Sequence, residues 1–381
     1  MMNTQEGLNR RDLLRSSSAA VFTIIAPELV RGSQANSAVS VGLVGCGGRG
    51  THDTGYVAKD TRARVTALCD LYGEQIDATA TKLNLDHPKS YTDFEKLLGD
   101  SSIDAVIIAT PPFEHPRMLE AAVESQKHIY CEKPAGVDFE GCQRVMRASK
   151  KLDPKKNLTF GFQQRYGPVY LEAFKRYQEG QIGELSAARA FWISGDPFHL
   201  KQYPDPSTAK IRNWFAYREL SGDIIVEQDC HNLDVLHWFL DAKPISAVGH
   251  GGRKVRKNMD ILDNLSLTYV FPNELNVAFE ANQLTPAGFG RVGEEFTGTK
   301  GTIEVSRQRM IHHVDPKTHE EMHSAGDITN DSLQAFLTRI QSGMVENVGE
   351  RSAVSTMFAL LGRSAIYTGK EVTWKSEFGD V

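Results

Sequence analysis

The chain has few cysteines, no long hydrophobic run and no excess of charge of one sign. Its five cysteines among 381 residues are an odd number, without the spacing of a metal site or a disulfide framework. We expect the thiols to pack in the interior and no metal to bind. The net charge of −5, with both signs interspersed, excludes a basic face for nucleic acid or a membrane surface. The length predicts about two domains of a globular protein.

The first 38 residues are expected to be an export signal and not part of the fold. The segment Asn9-Arg10-Arg11-Asp12-Leu13-Leu14 resembles a twin-arginine signal, and an apolar stretch from Ser16 to Ala26 follows it. That stretch is too short to span a bilayer as a helix. The alternative is a disordered tail with two chance arginines. The twin-arginine interpretation predicts a periplasmic or otherwise exported protein that folds, with its cofactor bound, before export.

A glycine-rich turn follows the first predicted strand, Val39–Val44. Its glycines have the G-x-G-x-x-G spacing of dinucleotide-binding proteins. Gly45 permits a tight turn, Gly47 lets the backbone approach a pyrophosphate, and Gly50 lets the next helix pack on the strand. The turn therefore predicts a dinucleotide-binding site.

The residues around this turn favour NAD over NADP. Gly48 and Arg49 open the helix, whose N-terminal N–H groups attract phosphate. Asp70 closes a second predicted strand, Arg64–Cys69, and would hydrogen-bond the ribose hydroxyls of NAD. The same carboxylate would repel the 2′-phosphate of NADP, so NAD is the predicted cofactor.

Strands alternate with helices through residues 39–163, which predicts a Rossmann domain with a doubly wound parallel sheet. The predicted strands continue with Ile103–Thr110, Lys127–Cys131 and Asn157–Phe162, and the predicted helices are Gly73–Leu83, Tyr91–Leu98 and Pro116–Ser125. Ligands of open α/β sheets bind at the carboxyl ends of the strands. The further cofactor-binding candidates at that edge are Thr110, Pro111, His115, Glu132 and Lys133.

Four motifs together resemble the Gfo/Idh/MocA oxidoreductases, over about Val39 to Trp374. They are the glycine turn, Thr110-Pro111-Pro112, Glu132-Lys133-Pro134 and His231-x-x-Asp234. The resemblance implies that Lys133 reaches the active site and touches both nicotinamide and substrate. It also implies a small carbohydrate substrate, with Trp214 at a position where the family often has a substrate-binding tryptophan.

Residues 164–381 are expected to form an α+β substrate-binding domain with a large, mostly antiparallel open sheet. This sheet could pair with a second copy, so a homo-oligomer is expected. Trp192, on a predicted strand, could line a sugar pocket, and residues 196–212 are predicted to be a long functional loop. The predicted strands are Leu185–Ile193, Ile245–Gly251, Leu265–Phe271, Leu275–Asn282, Glu295–Gly298, Gly301–Ser306 and Val372–Trp374.

A single helix is predicted from about Ser221 to Asp241. Glu227, His231 and Asp234 follow the i, i+4, i+7 spacing, which places all three on one helix face. The carboxylate of Glu227 would then orient the imidazole of His231. A core histidine without a catalytic role is the alternative.

The family resemblance favours catalysis, although two positions depart from its usual pattern, Asp-x-Gly-x-His-x-x-Asp. Glu227 replaces the first aspartate and Asp229 replaces the glycine. The final aspartate corresponds to Asp234, a candidate substrate ligand. Arg165 is a second candidate, which could instead only cap the domain junction.

These residues predict an NAD-dependent oxidoreductase acting on a CH–OH group. The candidate acid–base residues are Lys133, whose pKa would be lowered beside the nicotinamide, and His231, which Glu227 would steady. Three functions remain open: a sugar dehydrogenase with tightly bound NAD, a glycosidase that oxidises its substrate transiently, and a non-catalytic NAD-bound sugar-binding protein.

A match to the zinc-protease motif H-E-x-x-H occurs at residues 319–323. The segment is polar and lacks the apolar stripe that would anchor a helix. We therefore predict a solvated loop at these residues and no zinc site.

Overall fold

Six short parallel strands near the beginning of the described part of the chain form the first sheet. The computed structural model describes residues 38–286, 288–315 and 317–381, so the predicted export signal lies outside the described residues. The strands are β1 Val39–Val44, β2 Ala63–Cys69, β3 Lys89–Tyr91, β4 Ala105–Ile108, β5 His128–Cys131 and β6 Leu158–Phe160. Their order is β3-β2-β1-β4-β5-β6, which confirms the doubly wound Rossmann sheet.

Helices cover both faces of this sheet. They are α1 Gly48–Val57, α2 Gly73–Lys82, α3 Phe94–Leu98, α4 His115–Glu124 and α5 Phe139–Ser149. Side chains of Asp93 and Asp138 accept hydrogen bonds from Glu95 N and Gly141 N, which caps α3 and α5. Strand β4 is buried along its whole length and β5 at every residue except His128, as expected for strands with helices on both faces.

The second sheet has nine strands in the order β14-β13-β12-β11-β7-β10-β9-β8-β15. All neighbours are antiparallel except β7 and β10, so the mostly antiparallel sheet is confirmed. Its strands are β7 Leu185–Ile193, β8 Ser246–Gly252, β9 Asn264–Val270, β10 Asn276–Asn282, β11 Arg291–Gly298, β12 Thr302–Val305, β13 Arg309–His313, β14 His319–His323 and β15 Val372–Thr373.

Eight further helices accompany the second sheet among the described residues. They are α6 Pro168–Gln178, α7 Pro206–Arg212, α8 Arg218–Ser221, α9 Ile224–Glu227, α10 Cys230–Leu240, α11 Ile328–Ser342, α12 Gly349–Thr368 and α13 Trp374–Phe378. Within this part of the chain, no helix combines the length and the apolar composition that crossing a bilayer requires.

Helix α11 returns from the second half of the chain to the first sheet. Its residues Leu333, Phe336 and Leu337 are buried together with Val41 and Leu43 of β1. Residues 39–381 accordingly form one compact unit. The helix covers the sheet face that α1 and α2 leave partly open.

The predicted single helix from Ser221 to Asp241 is wrong. The structure has two helices, α9 and α10, separated at Gln228 and Asp229. Gln228 accepts a hydrogen bond from the Gln283 amide, 55 residues later in the chain. The helical periodicity of the sequence continues through this segment and therefore does not reveal the break.

Two predicted loops contain regular structure. Helix α7 lies within residues 196–212 and begins after Asp205, whose side chain accepts from Thr208 N. The H-E-x-x-H segment is the edge strand β14, paired with β13. Residues four apart on a strand lie roughly 13 Å apart, so His319 and His323 do not share a metal ion.

Candidate active site

A cleft of about 1110 Å³ lies at the carboxyl ends of the parallel strands and extends to the second sheet. The glycine turn and the segments after β2, β4 and β5 form one side, and residues 199–215 and α9 form the other. The predicted site residues that line it are Gly45, Gly47, Gly48, Arg49, Asp70, Thr110, Pro111, Glu132, Lys133, Trp214, Glu227 and His231.

The glycine turn has the geometry that a dinucleotide requires. Gly45 has φ +98°, and a Cβ there would lie 2.5 Å from the carbonyl oxygen of Ala109. A Cβ on Gly50 would lie 2.0 Å from the carbonyl oxygen of Gly45, so Gly50 allows helix and strand to touch. In contrast, a Cβ on Gly47 or Gly48 would meet nothing within 4 Å, so the backbone here is open to the cleft.

Asp70 is fixed in position by two backbone N–H groups. Cys46 N donates to one carboxylate oxygen at 2.8 Å, and Tyr72 N donates to the other at 3.0 Å. Each oxygen keeps a second lone pair for a hydroxyl group. The carboxylate therefore fits the ribose of NAD, and the open glycine backbone fits its pyrophosphate.

Arg49 joins the glycine turn to the segment after β5. Its Nε and Nη2 donate to one carboxylate oxygen of Glu132 at 2.9 and 2.8 Å. Burial raises the pKa of Glu132, but Arg49 and Lys133 outweigh it, so the pKa is lowered. A Cβ on Gly161 would lie 2.5 Å from this carboxyl group, so Gly161, which the sequence analysis missed, makes room for it.

Lys133 extends from the end of β5 towards α9. Its Nζ lies 3.2 Å from the Glu227 carboxylate and also donates to the Glu227 backbone carbonyl. Burial lowers the pKa of Lys133, but the charge of Glu227 outweighs burial, and the pKa is raised. This shift is opposite to the expected one, and it makes Lys133 a cationic hydrogen-bond donor.

His231 lies on α10 with its ring stacked on Trp192, the ring centroids being 5.9 Å apart. The side chain is buried, and its Nδ1 has no hydrogen-bond partner among the described residues. Burial and the charges of Lys133, Arg307 and Arg49 hold the pKa of His231 well below its usual value. The ring is therefore neutral near pH 7, with a nitrogen lone pair that can accept a hydrogen bond.

The expected contact between Glu227 and His231 is absent from the described contacts. Glu227 ends α9 and pairs with Lys133, whereas His231 belongs to the first turn of α10. The break between the two helices removes the i, i+4 relation on which the expectation rested. Glu227 therefore positions Lys133, and the expectation that it steadies His231 is wrong.

Arg165 and Asp234 lie behind the cleft and pair with each other. Arg165 donates from Nε to the Asp234 carboxylate at 2.8 Å, and Ser355 Oγ donates to it at 2.6 Å. Asp234 is 1% exposed. Both side chains are thus occupied within the fold, and the structure does not bring them to the cleft as substrate ligands.

His115 also lies outside the cleft. Its Nδ1 is 2.7 Å from the carbonyl oxygen of Pro134, and its Nε2 is 3.0 Å from that of Thr110. Burial lowers the pKa of His115. The ring braces the two loops that carry Thr110 and Lys133 and does not line the cleft.

Residues 199–215 approach the ribose end of the cleft through a contact that the sequence analysis missed. Arg212 pairs with Glu74, and its guanidinium lies 3.7 Å from the ring centroid of Tyr72 and 5.2 Å from that of Tyr203. We call these four residues the Arg212 clasp. Tyr72 is two residues after Asp70, so the clasp crosses the cleft beside the ribose-binding carboxylate.

The sequence analysis missed two other cleft residues. Arg307 lies in the turn between β12 and β13, 76 residues after His231 in the chain. Gln163 follows β6 in a short 3-10 helix. Arg307 belongs to no local motif, because strand pairing over long sequence distances brings it to the cleft. Gln163, in contrast, follows a predicted parallel strand, so the rule that ligands bind at the carboxyl ends of such strands could have found it.

Two family models match the chain over most of its described length. Residues 39–159 match the GFO_IDH_MocA model, described as an oxidoreductase family with an NAD-binding Rossmann fold. Residues 170–304 match the GFO/IDH/MocA C-terminal domain.

Individual relatives are more distant. The chain is 27% identical over 204 residues to an inositol 2-dehydrogenase of Salmonella paratyphi B, a match that covers 53% of this chain and 55% of that protein. The chain thus spans about half the length of that relative.

Solved structures share the fold at low sequence identity. A levoglucosan dehydrogenase in complex with NADH and levoglucosan is 18% identical, with a TM-score of 0.74, and covers 88% of this chain and 99% of its own. An aldose-aldose oxidoreductase from Caulobacter crescentus, complexed with glycerol, is 18% identical, with a TM-score of 0.73 and the same coverage.

Proposed function

The chain belongs to the Gfo/Idh/MocA oxidoreductase family, and we propose that it oxidises a CH–OH group of a sugar or sugar derivative, with Lys133 and His231 as acid–base residues. The observation that carries the proposal is that both side chains line one cleft with the glycine turn and Asp70. The names of the inositol and levoglucosan dehydrogenases support a polyhydroxylated substrate.

The two residues divide the proton chemistry between them. The glycine turn and Asp70 would hold NAD, which would supply the hydride acceptor for the substrate carbon. The Lys133 ammonium group donates a hydrogen bond to the reacting oxygen and stabilises its developing negative charge. The neutral His231 ring takes up the hydroxyl proton. Glu227 keeps Lys133 charged and oriented, and Trp192 shields the His231 ring from water.

We further propose that NAD stays bound through many turnovers. The Arg212 clasp crosses the ribose end of the cleft and supports this, because the nucleotide could leave that end only after the clasp opened. A resident cofactor suits an exported enzyme, and Arg10 and Arg11 are the proposed export signal. Cell fractionation tests the signal: replacing both arginines by lysine should retain the protein in the cytoplasm.

Resident NAD must be reoxidised within the same cleft. Reduction of a second sugar would do this, and an aldose-aldose oxidoreductase is among the structures that share the fold. A glycosidase that oxidises, eliminates, hydrates and re-reduces its substrate would also regenerate NAD. Lys133 and His231 suit either cycle, because each needs an acid and a base beside the reacting carbon.

One experiment separates these functions. The protein is purified without added NAD, denatured to measure released nucleotide, and incubated intact with a panel of sugars and glycosides. NADH formation indicates net oxidation, and conversion of two sugars without NADH indicates coupled oxidation and reduction. Aglycone release without NADH indicates hydrolysis. Binding without any conversion would contradict the proposed catalysis and favour a binding protein.

We also propose that the second sheet pairs two copies of the chain. Val248 on β8 is 40% exposed, and elsewhere in the sheet Arg189 of β7 and Arg291 of β11 form ion pairs with Glu295 of β11. Light scattering should show a dimer or a larger assembly, which Val248→Asp should weaken.

A further inference from the structure

Arg307 differs from the other arginines that surround the cleft. Arg49 pairs with Glu132, Arg117 with Glu114, and Arg212 with Glu74. Arg309, two residues further on but outside the cleft, pairs with Glu321. Among the described residues Arg307 has no such carboxylate partner. Its guanidinium lies in the cleft, 5.3 Å from the ring centroid of Trp192. The cleft therefore presents a cation whose donors are available to a ligand.

The backbone at Arg307 is held by a tight turn. Ser306 N donates to the carbonyl oxygen of Arg309 at 2.8 Å, and Ser306 Oγ donates to the same oxygen at 3.1 Å. The flanking strands β12 and β13 pair with each other in the second sheet. The fold thus carries Arg307 to the cleft on a rigid hairpin, whereas a surface arginine on a loose loop would turn to solvent.

The nearest acidic groups do not neutralise Arg307. Glu294 is fully buried and hydrogen-bonded to Tyr170 and Asn232, and burial raises its pKa to about 8, so it is largely uncharged at neutral pH. Asp327 caps α11 and accepts from the hydroxyl of Tyr56 at 2.8 Å. Both carboxyl groups already have partners within the protein.

The position of Arg307 places it on the substrate side of the cleft. Trp192 is the common neighbour of Arg307 and His231, with a distance of 5.9 Å between the Trp192 and His231 ring centroids. The pyrophosphate of NAD, by contrast, has its own site at the open backbone of Gly47 and Gly48. An anion at Arg307 would therefore belong to the molecule that His231 faces.

We propose that the substrate is a sugar acid whose carboxylate binds Arg307 while its reacting hydroxyl lies between Lys133 and His231. One planar guanidinium matches one carboxylate through two parallel hydrogen bonds. A phosphate dianion would need further unpaired cations at the same point. This inference rests on the proposed function, because it names the substrate class of the same cleft.

Calorimetric titration of the NAD-loaded protein tests the proposal. The probes are glucuronate and galacturonate, their neutral counterparts glucose and galactose, and glucose 6-phosphate. At least one sugar acid should bind about 10- to 100-fold more tightly than its neutral counterpart, and Arg307→Met should remove that preference. Arg307→Lys should restore part of it. Arg309→Met, on the same hairpin but outside the cleft, should change nothing, and NAD affinity should stay constant.

Other outcomes overturn the assignment. Neutral sugars that bind as well as both acids, or no binding by either acid, would exclude a sugar acid. Tighter binding of the phosphate than of the acids would exclude the carboxylate. Loss of NAD affinity in Arg307→Met would assign the arginine to the cofactor. Failure of the proposed function looks different: the acids would bind through Arg307 but give no redox product.

Discussion

The cofactor half and the substrate half of the cleft are built in different ways. The cofactor half consists of short segments that each follow a parallel strand, such as Gly45–Gly50 after β1 and Asp70 after β2. The substrate half combines α9, α10, β7 and the β12–β13 turn, which are far apart in sequence. A local motif therefore specifies the first half, whereas long-range packing specifies the second.

The largest expected effect comes from Lys133, which contributes to both halves. Lys133→Met should lower the turnover number by about 10³-fold or more, because the methyl thioether can neither donate to the reacting oxygen nor stabilise its charge. The amount of NAD released on denaturation should stay near one per chain. Loss of NAD in parallel with activity would assign Lys133 to cofactor binding alone.

The cofactor half is tested at Asp70. Asp70→Ala should weaken NAD binding by about 10- to 100-fold, since the hydrogen bonds to the ribose hydroxyls are lost. The affinity for NADP should fall less than that for NAD, or should rise, because the carboxylate that repels its 2′-phosphate is gone. Fluorescence titration of the NAD-free protein measures both affinities. Asp77→Ala, an exposed position on α2, is the matched control.

The Arg212 clasp joins the two halves and is expected to act on rates. Arg212→Ala should speed NAD dissociation by about 10-fold while leaving the first turnover of loaded enzyme nearly unchanged. Arg212→Lys keeps the charge but loses the planar contact with Tyr72. NAD should therefore dissociate from this variant at a rate between those of the wild type and Arg212→Ala. Stopped-flow release into excess competitor measures these rates, and an unchanged rate in Arg212→Ala would refute the clasp.

An effect of another kind, on stability and not on activity or binding, is expected from Glu294 beneath the substrate half. Burial raises its pKa from 4.5 to about 8, so the folded protein keeps a proton that the unfolded chain releases. The stabilisation is therefore complete below pH 4.5 and declines as the pH rises towards 8.

Glu294→Gln keeps partners for Tyr170 and Asn232 and cannot ionise. Relative to wild type, the variant should gain stability on the order of 4 kcal/mol between pH 4.5 and 8. Denaturant unfolding at several pH values measures the difference. A difference that does not change with pH would show that Glu294 is ionised in the folded protein.

The comparison also explains what sequence analysis could predict. The Rossmann fold, the glycine turn and the positions of Asp70 and Lys133 follow from strand–turn–helix patterns within a few residues. The partner of Glu227 does not follow from such a pattern, because α9 ends at Glu227 and the next residue contacts Gln283, far along the chain. Arg165 and Asp234 have suitable side chains for substrate, but only the packed structure shows that they bind each other.

The central claim is that Lys133, on the cofactor half, and His231, on the substrate half, act on the same proton and oxygen. A double-mutant cycle of Lys133→Met and His231→Asn, measured as single-turnover NADH formation in NAD-loaded protein, tests this most directly. The account predicts that the double variant is only slightly less active than the less active of the two single variants. Losses that multiply, as for two independent sites, would contradict it.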